Sequence, residues 1–208
     1  MTSTYVSSLL ATCLLLGACA SGTSSGLSSE SEALPAQDLP GDAGEAAAAA
    51  ADADAPAVVK AEIQTLEFRI EIGVPVETVW ERMFSLEGYR QWTAPFMAGS
   101  YFEGSWAQGE RMHFLAPGGS GMVAVISENR PHEVMSIEHI GYVMGGVEDT
   151  SSAGVQTWAP AYETYRFART SGGTEVTVEH DVLVGFEGYM NNAWPKALAA
   201  LKELCETE

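Results

Sequence analysis

Met190, Ala193, Trp194, Ala197, Leu198, Leu201 and Leu204 recur at i, i+3, i+4 and i+7, while Lys196, Lys202 and Glu203 fall outside the stripe. The spacing predicts a long amphipathic helix near the end of the chain, whose apolar face needs a cover. Pro195 must lie near the start of that helix or kink it. The preceding residues offer a sheet. Gln64 to Ile72 alternates Leu66, Phe68, Ile70 and Ile72 with polar residues, the period of a half-buried strand. From Pro75 the period changes, and Val76, Val79, Trp80, Met83 and Phe84 are spaced for a short helix, with a second over Glu87 to Trp92. Strand-like runs follow at about 100–106, 110–116, 121–129, 133–143, 159–169 and 173–184, divided by glycine or proline turns, with Gly172-Gly173 as a hairpin signal. The order predicts an α+β domain of helix-grip type. A curved antiparallel sheet of about seven strands wraps the long C-terminal helix, and two short helices follow the first strand.

The N-terminal residues read differently. Leu9 to Leu16 is an apolar run too short to span a bilayer, and Gly17 and Ala18 follow it, which outlines a signal peptide over residues 1–18. Leu16-Gly17-Ala18-Cys19 resembles a bacterial lipobox. The resemblance implies a lipidated Cys19 as the mature N-terminus, anchored in the cell envelope. Ala20 rather than Asp after it points to the outer membrane, facing the periplasm, if the host is Gram-negative. Met1 to Ser8 departs from the pattern, lacking the Lys or Arg such leaders carry. Ala20 to Lys60 has no aromatic residue and is dominated by Ala, Ser, Gly, Asp and Glu, so residues 19–60 are expected to be the lipidated cysteine and a disordered linker. The globular domain is then 61–208. Of the three cysteines, Cys13 lies in the leader and Cys19 takes the lipid, which leaves Cys205 as a lone thiol, expected to be a small core residue. The net charge of -18 divides into about -6 over residues 20–60 and about -12 over 61–208. Both halves repel phosphate, which tells against nucleic acid and against a polybasic membrane contact. The membrane contact then belongs to the lipid on Cys19.

Four stretches in the domain form a recognisable series. Pro75-x-x-x-Val79-Trp80 leads to Tyr89-x-x-Trp92, and Gly104-x-Trp106-x-x-Gly109-x-x-Met112-x-Phe114 follows. Gly173-Thr174-x-Val176-x-Val178 is third, and Trp194-Pro195-x-x-Leu198-x-x-Leu201 closes it. In this order, over nearly all of residues 64–206, the chain resembles the START-like (SRPBCC) superfamily. Within it the likeness is to the subgroup of polyketide cyclases and the activator of the heat-shock ATPase. The resemblance implies a cavity between sheet and terminal helix for lipids, sterols, polyketides or other apolar ligands. It fixes no activity, and no cofactor or metal is expected.

Alternation places Val176, Val178, His180, Val182 and Val184 on one face of the last strand, and Met135, Ile137 and His139 on one face of the strand at 133–143. The expected ligand-lining set takes Met135, Ile137 and His139 from one strand and Val178, His180 and Val182 from the other. Tyr165, Phe167, Met190 and Trp194 complete it. His139 and His180 suit acid–base work near neutral pH, or buried histidines bonded to their neighbours, and no H-x-x-x-H spacing supports a metal. Trp80, Trp92, Trp106 and Trp158 read as core aromatics, whereas Trp194 lies beside adaptable Met190 on the gripping helix. Gly118-Gly119-Ser120-Gly121 and Gly145-Gly146 read as turns, because neither follows a strand and opens a helix. Met144 to Gln156 reads as a flap at the cavity mouth. Tyr162, Glu163, Tyr165 and Arg166 give polar groups to one strand, at least half of them surface decoration. The leading reading is an envelope-anchored protein that binds or carries an apolar small molecule. The alternatives are a cyclase- or hydrolase-like enzyme with His139 or His180 as general base, and an interaction protein, which fits an exported domain least.

Overall fold

A computed structural model describes residues 58–207. The expected leader, the expected lipidation site Cys19 and the expected linker up to residue 57 lie outside them. The elements run β1 (Ile63–Ile72), α1 (Val76–Phe84), α2 (Leu86–Trp92), β2 (Tyr101–Gly104), β3 (Arg111–Leu115), β4 (Gly121–Arg130), β5 (Val134–Met144), β6 (Val147–Asp149), α3 (Ala153–Gln156), β7 (Ala161–Thr170), β8 (Gly173–Leu183) and α4 (Glu187–Glu206). All strand pairs are antiparallel, in the order β1-β8-β7-β5-β4-β3-β2, with β6 pairing β5 off that path. The curved sheet grips α4, as the helix-grip pattern predicts.

Local chemistry sets the joints. Pro75, with φ of -57°, precedes α1, and the Ser85 hydroxyl caps α2 by accepting from the Gly88 N–H at 3.1 Å. The β7–β8 hairpin turns at Gly173, where φ is +142° and a Cβ would stand 2.2 Å from the Ile72 carbonyl oxygen. Only glycine fits there.

Helix α4 buries Trp194, Ala197, Leu198, Leu201 and Cys205 against Ile72, Ile126, Met135 and Val178 of the sheet and Val79 and Met83 of α1. Pro195 sits in mid-helix rather than near the start. It denies the Asn191 carbonyl its helical partner, and Asn191 is exposed, where water can take its place. Cys205 is buried, and burial pushes its thiol up to about 11, so it is a core residue and a poor nucleophile.

Two departures from the sequence pattern matter for the site. Val123 pairs with Gly141 and Ala124 with His139, so Ile140 is an extra residue, and a second irregularity falls at Ser127. Such bulges bend a strand and reverse the side that its later residues face. Consequently Ile137 and His139 line the concave face, and beyond the bulge Tyr142 takes that role instead. Among the described residues the sheet also has eight strands rather than about seven, because the segment expected to be a flap contains β6 and α3. Glu148 of β6 is bonded by His113 at 2.6 Å and by Arg111, Asp149 accepts from the N–H groups of Ser151 and Ser152, and Val155 is buried. Its glycines and serines concealed these ties, and none of residues 144–156 lines the main cavity.

Candidate functional site

A cavity of about 250 Å³ lies between the concave face of the sheet, α2 and the first half of α4. Trp92, Phe96, Trp106, Phe114, Trp158 and Trp194 supply aromatic walls. Half-buried Met97, Met122, Leu183 and Phe186, with exposed Ile63, make its open side.

Besides Thr93, Ser100, Ser120 and Asp181, a cluster of buried polar groups interrupts the apolar lining. Glu163 on β7 stands directly across from Ile137 on β5 and from His180 on β8, while His139 is opposite Ala161. The register therefore sets one carboxylate between two imidazoles. Glu163 Oε2 is 3.7 Å from His139 Nε2 and 3.8 Å from His180 Nε2, and the three side chains are no more than 16% exposed. Tyr165, next on the same face of β7, donates its hydroxyl hydrogen to Glu163 Oε1. Trp194 Nε1 donates to His180 Nδ1 at 2.9 Å.

Burial pushes the Glu163 carboxyl up, but the charge on His180, the nearby His139 and the Tyr165 hydroxyl together outweigh it and hold the group at about 2. Burial lowers His180, opposed by the Glu163 charge and reinforced by His139. Near neutral pH the carboxylate is ionised and His180 is neutral; only in acid does His180 gain the charge that resists protonation of Glu163. The indole N–H can only donate, so His180 Nδ1 is bare and its proton sits on Nε2. That tautomer removes His180 as a general base and denies a metal the lone pair on Nε2. Among the described residues no group of three or more His, Cys, Asp or Glu is arranged to hold a metal ion.

This arrangement sets an expected pH response. Unfolding exposes His180 and lets it bind a proton near its ordinary value, so its contribution to stability is complete above pH ~6.5 and declines as pH falls below it. Glu163 adds a decline as pH falls from about 4.5 toward about 2. Trp194→Phe frees Nδ1, and the His180 pKa should rise, read by NMR titration of the ring nitrogens. A His180 resonance in the Nδ1–H form in the unmodified protein would contradict the tautomer.

Of the residues expected to line a ligand site, Ile137, His139 and Tyr165 do line the cavity, as do His180, Val182, Met190 and Trp194. Met135, Phe167 and Val178 do not. They face the same side of the sheet but lie deeper along the strands, where α1 and α4 close on them; Phe167 packs 5.1 Å from Trp80, ring to ring. Alternation reports the face of a residue and not its depth. Val184 runs off the end of β8 and is half exposed. Of the polar set on β7, Glu163 and Tyr165 turn inward while Tyr162 and Arg166 are exposed. Glu163, which was not in the expected lining set, is the centre of the cluster. Its parity with Tyr165 and Phe167 was the available signal. Trp92, Trp106 and Trp158, expected as core aromatics, also line the cavity, and Trp80 does not.

No protein-family model matches the chain, and no curated protein matches it by sequence. Solved structures do match. The chain is similar to the Aha1 dimer from Colwellia psychrerythraea, at 18% identity and a TM-score of 0.54, over 69% of this chain and 96% of that one. A protein of Rhizobium leguminosarum matches at 19% identity and a TM-score of 0.53, over 72% and 98% of the two chains. DynU16, a protein of the dynemicin biosynthetic locus, matches at 14% identity and a TM-score of 0.51, over 69% of this chain and 47% of its own length. These are likenesses of fold, and the fold is a helix-grip.

Proposed function

We propose that the domain binds and carries an apolar small molecule in the cavity under α4, in the cell envelope, on a tether anchored by lipid at Cys19. The carrying observation is the cavity itself, walled by aromatic and aliphatic side chains with one polar cluster at its inner side, the composition of a site that holds a greasy ligand and orients it. Its size suits a compact molecule rather than a whole phospholipid. The locked tautomer of His180 and the ionised Glu163 favour holding over proton transfer at these two residues, since neither is a ready base.

The full chain, titrated with 2-methylnaphthalene, should show saturable quenching of its tryptophans, four of which face the cavity, and a raised thermal midpoint. Native mass spectrometry of freshly purified protein should show a bound apolar compound. An unchanged midpoint at the solubility limit of the probe, with no mass adduct, would sink the binding reading. For the tether, Cys19→Ser should move the protein from the membrane to the soluble fraction, and retention of the variant in membranes would refute lipid anchoring.

A further inference from the structure

The hydrogen-bonding capacity left over in the polar cluster specifies what the inner end of a ligand must offer. Glu163 Oε1 is occupied by the Tyr165 hydroxyl. Glu163 Oε2 is not similarly occupied, since its two nearest imidazole nitrogens lie at 3.7 and 3.8 Å, beyond the 2.7–3.2 Å of a hydrogen bond. His180 Nε2 carries a hydrogen, because Trp194 occupies Nδ1, and that hydrogen is likewise unspent. The residues that bear these two groups both line the cavity. Glu163 Oε2 and the His180 Nε2–H, 3.8 Å apart, therefore form an unspent acceptor–donor pair, with His139 Nε2 3.7 Å from the same oxygen.

Each class of polar group meets this pair differently. A hydroxyl satisfies both members at once, donating its hydrogen to Oε2 and accepting from Nε2–H. A carboxylate or phosphate can only accept, and it would place a second negative charge beside a buried carboxylate, where screening is weak. An ammonium pairs with the Glu163 charge, but it must shed its own hydration to enter a dry pocket and offers no acceptor to the His180 N–H. A hydrocarbon end leaves both groups unpaired in a dry pocket, at the full desolvation penalty. The surrounding rings of Trp92, Phe96, Trp106 and Phe114 favour a flat neighbour to that hydroxyl.

We infer that the cavity selects ligands whose buried end is an uncharged hydroxyl, such as a phenol, enol or alcohol, held between Glu163 and His180, and that it rejects carboxylates of the same shape. The inference rests on the reading of the cavity as a binding site and names the chemical class that the site takes.

Four probes of one skeleton separate the possibilities: 2-naphthol, 2-naphthoate, 2-naphthylmethylamine and 2-methylnaphthalene, each titrated calorimetrically into the full chain at neutral pH. The naphthol should bind about tenfold or more tighter than each of the others. In Glu163→Gln, which keeps shape and removes charge, the margin of naphthol over naphthoate should shrink by about tenfold. A smaller margin in the unmodified protein, or tighter binding of the carboxylate or the amine, overturns the inference while leaving the cavity reading in place. A margin that survives Glu163→Gln unchanged overturns the assignment to this cluster. Failure of every probe, methylnaphthalene included, overturns both readings.

Discussion

Trp194→Ala should lower the free energy of unfolding by about 3–5 kcal/mol, measured by urea denaturation with matched m-values. Three separate losses stand behind that figure. Trp194 is 1% exposed and stacks on Phe68 and Trp92 at centroid distances of 5.6 and 6.2 Å, with Phe96 edge-on at 4.9 Å, so truncation leaves a void among rigid rings that cannot collapse into it. It deprives His180 Nδ1 of its donor in a buried setting. It also removes the side chain where helix, sheet and cavity meet. Trp194→Phe retains most of the packing and loses the hydrogen bond, so its cost should stay near 1–2 kcal/mol, and comparison of the two variants separates packing from bonding. Equal losses from both would show that the hydrogen bond, and not ring burial, dominates at this position.

Gly88→Ala should be of similar severity, at about 3 kcal/mol or more and roughly 10 °C in thermal midpoint. An added Cβ would stand 1.7 Å from the Arg82 carbonyl oxygen and 2.9 Å from the Ser85 hydroxyl, and a backbone carbonyl cannot rotate out of the way as a side chain can. The corner between α1 and α2 has to open. Opening it breaks the bond from Trp92 Nε1 to the Met83 carbonyl, at 2.9 Å, which pins α2 over the cavity, so ligand affinity should fall together with stability. A Gly88→Ala protein with unaltered midpoint and affinity would mean that the corner is far more pliable than its contacts indicate.

The architecture could be read from the chain because its elements obey simple periods. The alternation at 64–72 and the stripe from Met190 to Leu204 are each long enough to fix type and face, and β1 and α4 lie where those patterns put them. What escaped depends on relations between strands. Ile140 looks like any other apolar strand residue, and only pairing against β4 makes it the extra one that hands the concave face from His139 to Tyr142. Glu163 has inward parity, yet an acidic residue in a strand reads as solvent-facing until its partners from β5, β8 and α4 are known, and those come from distant parts of the chain. Met135, Phe167 and Val178 were expected at the ligand because sequence carries no measure of how far along the sheet the helix closes.

Pro195 divides α4 into two stretches with separate duties. Tyr189, Met190 and Trp194 before it shape the hollow, while Ala197, Leu198 and Leu201 after it fill the solid end of the domain. Substitutions at Tyr189, which is only partly buried, can therefore reshape the hollow at less cost to the scaffold than those at Trp194, whereas Ala197, Leu198 and Leu201 behind the proline are constrained by folding alone. Change in the shape of the hollow would leave its record on a few helical turns, and two homologues could agree closely from residue 196 onward while enclosing quite different spaces.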